Sequence, residues 1–186
     1  FALKNYGKVY NSPHSYNNKF GVPFSVCNLK KDTDYGVFEI GMDKKGEIDN
    51  LSKIVRPEIG IITNISEAHF KNFNTLKDIA KAKAEIIDNI LDDGYLILNK
   101  DDKFFSFLSN KARLKKINVI SFSSRKNADI SLLSVRKIKN SYRLKVIVKN
   151  KIFYFYTTFS TNNFINNILA CISVLFVLNL DLKNMK

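Results

Sequence analysis

Ile59-Gly60-Ile61-Ile62-Thr63-Asn64 is followed, after a loop, by Thr75-Leu76-Lys77-Asp78-Ile79-Ala80-Lys81-Ala82-Lys83-Ala84-Glu85-Ile86-Ile87-Asp88-Asn89-Ile90-Leu91. Beyond Asp92-Asp93-Gly94 comes Tyr95-Leu96-Ile97-Leu98-Asn99. The outer two runs are apolar with little alternation, as strands covered on both faces are. In the middle run Leu76, Ile79, Ala80, Ile86, Ile87 and Ile90 recur at helical spacing, which predicts one helix over Thr75 to Leu91 with a single buried stripe. Working outward, Tyr35 to Ile40 is a strand candidate upstream, and a helix near Lys103 to Lys111 leads into a strand over Asn118 to Phe122. Strands alternating with helices at this spacing predict an α/β fold built on a mostly parallel, doubly wound sheet.

The two ends read differently. Residues 1 to 6 resemble the tail of a helix stopped at Gly7, followed by a short strand at Lys8 to Tyr10 and the polar loop Asn11 to Asn18, which closes on Gly21-Val22-Pro23. Toward the other end, Asp129 to Val135, Tyr142 to Val148 and Ile152 to Thr158 are successive strand candidates, the last two joined like a hairpin at Lys149-Asn150-Lys151. They predict an antiparallel extension of the sheet, closed by a long helix over Asn163 to Leu178.

The 186 residues are enough for one domain with a real core, and 45% of them are apolar. Thirty Lys and Arg against seventeen Asp and Glu give a net charge of +13. The lysines are scattered among Asn, Ile and Phe, and the densest run, Lys111 to Lys116, is short enough for a solvated helix face, so no nucleic-acid partner is expected. Cys27 and Cys171 stand far apart without metal-ligand spacing, which fits a reducing cytoplasm. The apolar stretch Ile168 to Leu180 is interrupted by Ser173 and Asn179 and is short for a bilayer, so no membrane association is expected. The chain starts at Phe1 with neither initiator Met nor signal pattern and is expected to be an internal piece of a longer protein.

Three positions suggest chemistry. Lys83 falls on the apolar stripe of its helix, where burial disfavours an ammonium and favours the neutral amine. Such an amine can react with carbon dioxide to give an anionic carbamate able to hold magnesium; the alternative is a lysine that snorkels to solvent. Glu39 ends an otherwise apolar strand, and ligands of open α/β sheets gather at the carboxyl ends of strands. A carboxylate there suits a hard cation, or is simply solvated, and the glycines Gly41 and Gly46 would let backbone approach a ligand. Asn64 and His69 follow the next strand, expected on the same sheet edge as Glu39, and a neutral imidazole is a metal ligand or a structural side chain. Glu39, His69 and Lys83 come from three successive units expected to meet at one crevice.

Several strings together resemble the central domain of the Mur ligases: Tyr16-Asn17-Asn18-Lys19-Phe20-Gly21-Val22-Pro23, Glu39-Ile40-Gly41 with Gly46-Glu47-Ile48, Arg56-Pro57, Thr63-Asn64-Ile65, Ala68-His69 and Ala80-Lys81-Ala82-Lys83-Ala84-Glu85. Within that family the pattern is most similar to the branch that joins D-alanyl-D-alanine to UDP-N-acetylmuramoyl-tripeptide. The resemblance implies an ATP- and Mg2+-dependent amide ligase of peptidoglycan precursor synthesis, cytoplasmic and monomeric, working through an acyl phosphate. It implies that Glu39 serves the magnesium at the nucleotide phosphates and that His69 and a carbamylated Lys83 serve a second one. It places Asn17 and Asn18 in the loop that meets the muramoyl-peptide, although an Asn-rich turn reads the same way. Asn166 matches the asparagine that contacts adenine, and Asn64 is grouped with it on the nucleotide side. Where the family has Gly-x-His-Asn at this helix start the chain has Ser160 and Asn162, and Asn162 also suits a plain helix cap.

The sequence contains no Gly-x-x-x-x-Gly-Lys-Ser/Thr phosphate loop. Residues 1 to 186 are therefore expected to be part of a central domain whose phosphate loop, N-terminal and C-terminal domains lie elsewhere in the parent, and to be inactive alone. Rival readings are another Mur-type or folylpolyglutamate-type ligase, a basic nucleic-acid-binding module, and an inactive scaffold.

Overall fold

Alternate residues of the strand Tyr95–Asn99 enter two different cores: Leu96 and Leu98 point into one, Tyr95 and Ile97 into the other. This two-sided burial makes the central sheet the middle of three layers. The structure, a computed structural model, describes residues 2–66 and 72–185. In chain order the described elements are β1 (Val9–Asn11), α1 (Gly21–Cys27), β2 (Tyr35–Val37), α2 (Glu47–Val55), β3 (Ile59–Ile62), α3 (Leu76–Lys83), β4 (Tyr95–Asn99), α4 (Phe105–Leu114), β5 (Asn118–Ser123), β6 (Ile130–Ile138), β7 (Ser141–Val148), β8 (Lys151–Thr157) and α5 (Asn162–Val177). Short 3-10 turns cover Ala2–Asn5, Ala84–Asn89 and Leu182–Asn184.

The larger sheet has six strands in chain order, β3 to β8. Pairing is parallel from β3 through β6 and antiparallel from β6 through β8. Helices cover both faces of the parallel part, β3 to β5, whereas the antiparallel extension is buried on one face and leaves Tyr154 and Tyr156 exposed on the other. Ile48 of α2, Ile79 and Ala80 of α3, Ile87 of the following turn and Leu108 and Ala112 of α4 pack on one face with Leu96 and Leu98. Ile165, Leu169, Ile172 and Leu175 of α5 pack on the other with Ile97, Phe122, Leu144 and Val146. The expected antiparallel extension is present, and both of its hairpins turn on two residues, Lys139-Asn140 and Lys149-Asn150. Lys139 and Lys149 hold the positive φ of these turns, 49° and 52°.

Four features depart from the sequence reading. Ala2–Asn5 is a 3-10 turn rather than the tail of an α-helix. The helix expected over Thr75 to Leu91 is α-helical only to Lys83 and then tightens into the 3-10 turn Ala84–Asn89. Its start is as the pattern suggests, with Thr75 accepting a hydrogen bond from the Asp78 N–H. The tightening leaves the Ala84 carbonyl to Lys111 Nζ, at 2.9 Å. Helices α1 and α2 occupy stretches where no helix was expected. Lastly, the strand expected to run to Ile40 ends at Val37, and β2 pairs with β1 alone, in a separate two-stranded parallel sheet. Glu39 therefore lies in irregular backbone and does not share a sheet with β3. The cause is a distant partner: the Gly41 N–H bonds to the Asn17 carbonyl at 2.7 Å, which draws the chain out of the ladder.

Candidate functional site

Lys83 is the last residue of α3, half-buried, and its Nζ donates to the Asn64 carbonyl at 3.1 Å. Burial pushes its pKa below the ordinary lysine value, partly opposed by the negative charge of Asp102. The helix stripe that exposed this lysine to sequence reading is real, with Ile79, Ala80, Ala82, Ala84 and Ile87 buried around it. Structure thus brings Lys83 and Asn64 together at the end of β3, as a lowered-pKa amine tied to the strand-end loop.

Asp102, which directly follows an Asp101 that anchors a neighbouring loop, was not singled out by sequence. Its Oδ2 accepts from the Ile65 N–H at 2.6 Å and its Oδ1 from the Phe104 N–H at 2.8 Å. The loop after β4 therefore fixes the loop after β3 next to Lys83. Asp101 does the same for the loop after β5, accepting from Ser123 Oγ and from the Ser124 N–H.

Glu85 was also missed as an individual residue. Its carboxylate accepts from the Gly46 N–H at 2.8 and 3.0 Å and from the Asp49 N–H at 3.2 Å. An anion is thus supplied to the first turn of α2, where unsatisfied amides gather positive potential. The Gly46 backbone is left-handed, φ 88°, which favours glycine. Its amide is met by Glu85, so the expectation that Gly46-Glu47 offers backbone to a ligand gives way to an internal clamp. Glu47 is engaged too: it accepts from the Asp43 and Lys44 N–H groups, which hold its carboxyl below the usual range.

Glu39 is exposed, and its Oε1 accepts from Asn17 Nδ2 at 2.7 Å. The neighbouring Ile40 packs against the same core as Ile65 and Ile79, so the segment carrying Glu39 and the loop carrying Asn64 rest on one apolar cluster. Asn18 Oδ1 accepts from the Phe20 and Gly21 N–H groups, both at 3.0 Å, and so fastens the entry to α1. Of the two asparagines, one faces Glu39 and the other serves local structure. His69 lies outside the described residues. Among those described, no group of three or more His, Cys, Asp or Glu side chains is placed to hold a metal ion.

Asn166 stands in the other layer, on α5 between Ile165 and Leu169 of the second core. Its Oδ1 is buried without a hydrogen-bond partner among the described residues, as is Ser12 Oγ. A buried acceptor left unmet is unfavourable, so Asn166 has an unused place for a donor.

The family model described as the Mur ligase middle domain matches residues 2–175. Over 176 residues the chain is 31% identical to the UDP-N-acetylmuramoyl-tripeptide--D-alanyl-D-alanine ligase of Rickettsia prowazekii, covering 94% of this chain and 39% of that protein. A crystal structure of MurF from Acinetobacter baumannii superposes with a TM-score of 0.91 at 27% identity, covering 99% of this chain and 40% of that one. The MurF ligase of Thermotoga maritima in complex with ADP has the same fold, with a TM-score of 0.87 at 23% identity over 99% of this chain and 43% of that one. The chain spans about two fifths of the length of the curated relatives it matches.

Proposed function

The chain belongs to the Mur ligase family, and on that premise we propose that it is the central domain of an ATP-dependent ligase joining D-alanyl-D-alanine to UDP-N-acetylmuramoyl-tripeptide. The observation that carries the reading is Lys83: a half-buried amine of lowered pKa, held on the Asn64 carbonyl at the carboxyl end of β3. In the proposed reaction the muramoyl-peptide carboxylate accepts the γ-phosphoryl group of ATP, and the amine of D-alanyl-D-alanine then displaces phosphate to form the amide.

The residues fit the groups this chemistry needs. Glu39 offers an exposed hard-oxygen donor for Mg2+, and magnesium, when bound, offsets the charge of a carboxylate brought against a phosphate. Lys83 in its neutral form is the nucleophile for carbon dioxide: its nitrogen forms the new N–C bond, a proton is released, and the carbamate places an anion beside the Asn64 loop. His69 belongs to the same proposed set. The unmet Oδ1 of Asn166 suits an amino donor such as that of adenine, and Asn64 lies on the Lys83 side. Asn17 and Asn18 border the proposed muramoyl-peptide side. A cytoplasmic place for the ligase accords with its soluble nucleotide substrates, and among the described residues no helix is long and apolar enough to cross a membrane.

The direct test measures ADP release by the complete ligase with UDP-muramoyl-tripeptide, D-alanyl-D-alanine and magnesium, omitting each in turn. Turnover should require all of them, while the 186-residue chain alone, lacking a phosphate loop, should give none. Turnover with a different amino acceptor would reassign the chain to another ligase of the superfamily. Lys83 has its own signature. Folded Lys83 holds its proton less tightly than the unfolded lysine, so its contribution to stability rises as pH climbs through the folded pKa toward the ordinary lysine value. Urea unfolding across that range should show the rise in the native chain and lose it in Lys83→Met; equal slopes in both would remove Lys83 from the reading.

A further inference from the structure

Beyond Val37 no ladder among the described residues holds the segment that carries Glu39, and β1, with which β2 pairs, has already ended at Asn11. What holds it is the loop that follows β1. The Ser12 N–H donates to the Val37 carbonyl at 3.0 Å, the Gly41 N–H donates to the Asn17 carbonyl at 2.7 Å, and Asn17 Nδ2 donates to Glu39 Oε1 at 2.7 Å. Gly41 is pressed so closely on this loop that a Cβ there would lie 3.0 Å from Asn17 Cγ. The loop itself is bent into shape by His14, whose φ of 48° is uncommon for a non-glycine residue. Three bonds in five residues of the Glu39 segment come from one loop, and the single side-chain bond among them falls on the carboxylate.

We propose that Asn17 is a positioning residue that acts through Glu39, rather than a recognition residue for the muramoyl-peptide. The inference rests on the ligase reading, in which Glu39 serves magnesium. An amide is the suitable donor for the task. It fixes one carboxylate oxygen while leaving the full negative charge for a cation, whereas a lysine or arginine at the same place would neutralise that charge and compete with the metal. Backbone and side chain of Asn17 grip positions 41 and 39 at once, so the carboxylate keeps its orientation without β-sheet support. Asn18, with its side chain spent on α1, prevents the loop from sliding.

The test is a double-mutant cycle in the complete ligase with a binding readout beside it. Asn17→Ala should raise the magnesium needed for half-maximal turnover about tenfold, the loss expected for one hydrogen bond to a charged group. The KM for UDP-muramoyl-tripeptide should stay unchanged, and Asn17→Gln, whose longer amide still donates, should recover part of the loss. In a Glu39→Gln background Asn17→Ala should add nothing, because the two residues act as one unit. Independently of turnover, Mn2+ titration followed by electron paramagnetic resonance should show weaker binding in Asn17→Ala. In the 15N-labelled chain the Asn17 side-chain amide signal should move on Glu39→Gln. A raised KM for the muramoyl-peptide with unchanged magnesium dependence, or full additivity of the two substitutions, overturns the proposal. A wild-type ligase without turnover defeats the function instead, and the side-chain signal then decides the inference: unmoved by Glu39→Gln, it overturns it.

Discussion

The parallel half of the molecule, β3 to β5, and the antiparallel half, β6 to β8, are held together by different means. In the parallel half, carboxylates secure backbone outside the ladders: Asp102 holds the loop after β3, Asp101 the loop after β5, and Glu85 the start of α2. The antiparallel strands are fixed mainly by register, since β6 and β7 pair at eight positions and β7 and β8 at seven, with Asp129 alone tying the β7–β8 turn through Lys149 among the described residues. Between the halves lies a narrow seam, with β5 and β6 paired at two positions only, Phe122 with Ile130 and Ser123 with Ser131. The difference teaches where chemistry can be built. Loops free of ladder constraints hold Asn17, Glu39 and Asn64 of the candidate site, and their precision is supplied by individual hydrogen bonds rather than by register.

Phe122, fully buried on β5 in the core shared with α5, belongs to both halves. Phe122→Ala should destabilise the whole chain by about 3–5 kcal/mol, and chemical denaturation should report a single transition. Two separated transitions would break the comparison by showing that the halves unfold independently. Glu85→Ala should cost about 2 kcal/mol, the loss of charge-assisted bonds to two backbone amides. Its effect should be regional: hydrogen exchange should quicken at Gly46 and Asp49 and leave β7 and β8 unaltered. Uniform quickening would mean the clamp is not confined to the parallel half.

The smallest expected effect concerns the seam. Asp129 is partly buried, which by itself would raise its pKa, but Lys149 at 2.8 Å and the Ser121 hydroxyl and N–H outweigh burial and hold the carboxyl below its usual range. A carboxylate of depressed pKa contributes stability that is present above the ordinary carboxylate value and is lost as pH falls through the folded value. Asp129→Asn should therefore lower stability at neutral pH by about 1 kcal/mol and flatten its decline in acid. Parallel acid profiles for the two proteins would take Asp129 out of the seam.

Much of the strand framework was legible because it depends on local pattern. The apolar runs of β4 and β5, the hairpin at Lys149-Asn150 and the stripe around Lys83 all follow from spacing within a few residues. Helix α1 escaped because its seven residues are too few for a periodic stripe. Helix α2 had a readable start in Glu47 and Asp49 of its first turn, and Ile48, Leu51 and Ser52 supply its buried side, but the glycine before it drew attention as a ligand loop. The boundary errors at Val37 and Lys83 have one origin. Hydrogen bonds between Asn17 and Gly41, and between Lys111 and Ala84, link residues more than twenty positions apart and end regular structure where composition would continue it. For the same reason Lys83 and Glu39 could be chosen by residue type and position, whereas Glu85 and Asp102 could not: nothing in sequence identifies which distant amides a carboxylate will meet.

The two-residue turns of β6 to β8 have a further consequence, in time rather than space. Neighbouring strands joined this closely can pair in about 1–10 μs, whereas β3 and β4 must first close the long connection that contains α3. The three-stranded ribbon can therefore zip up early, with Leu144, Val146 and Phe155 along the side that α5 covers. During synthesis on a ribosome that side is adhesive until the next segment emerges. Because α5 directly follows β8, the interval lasts only as long as it takes to translate the helix.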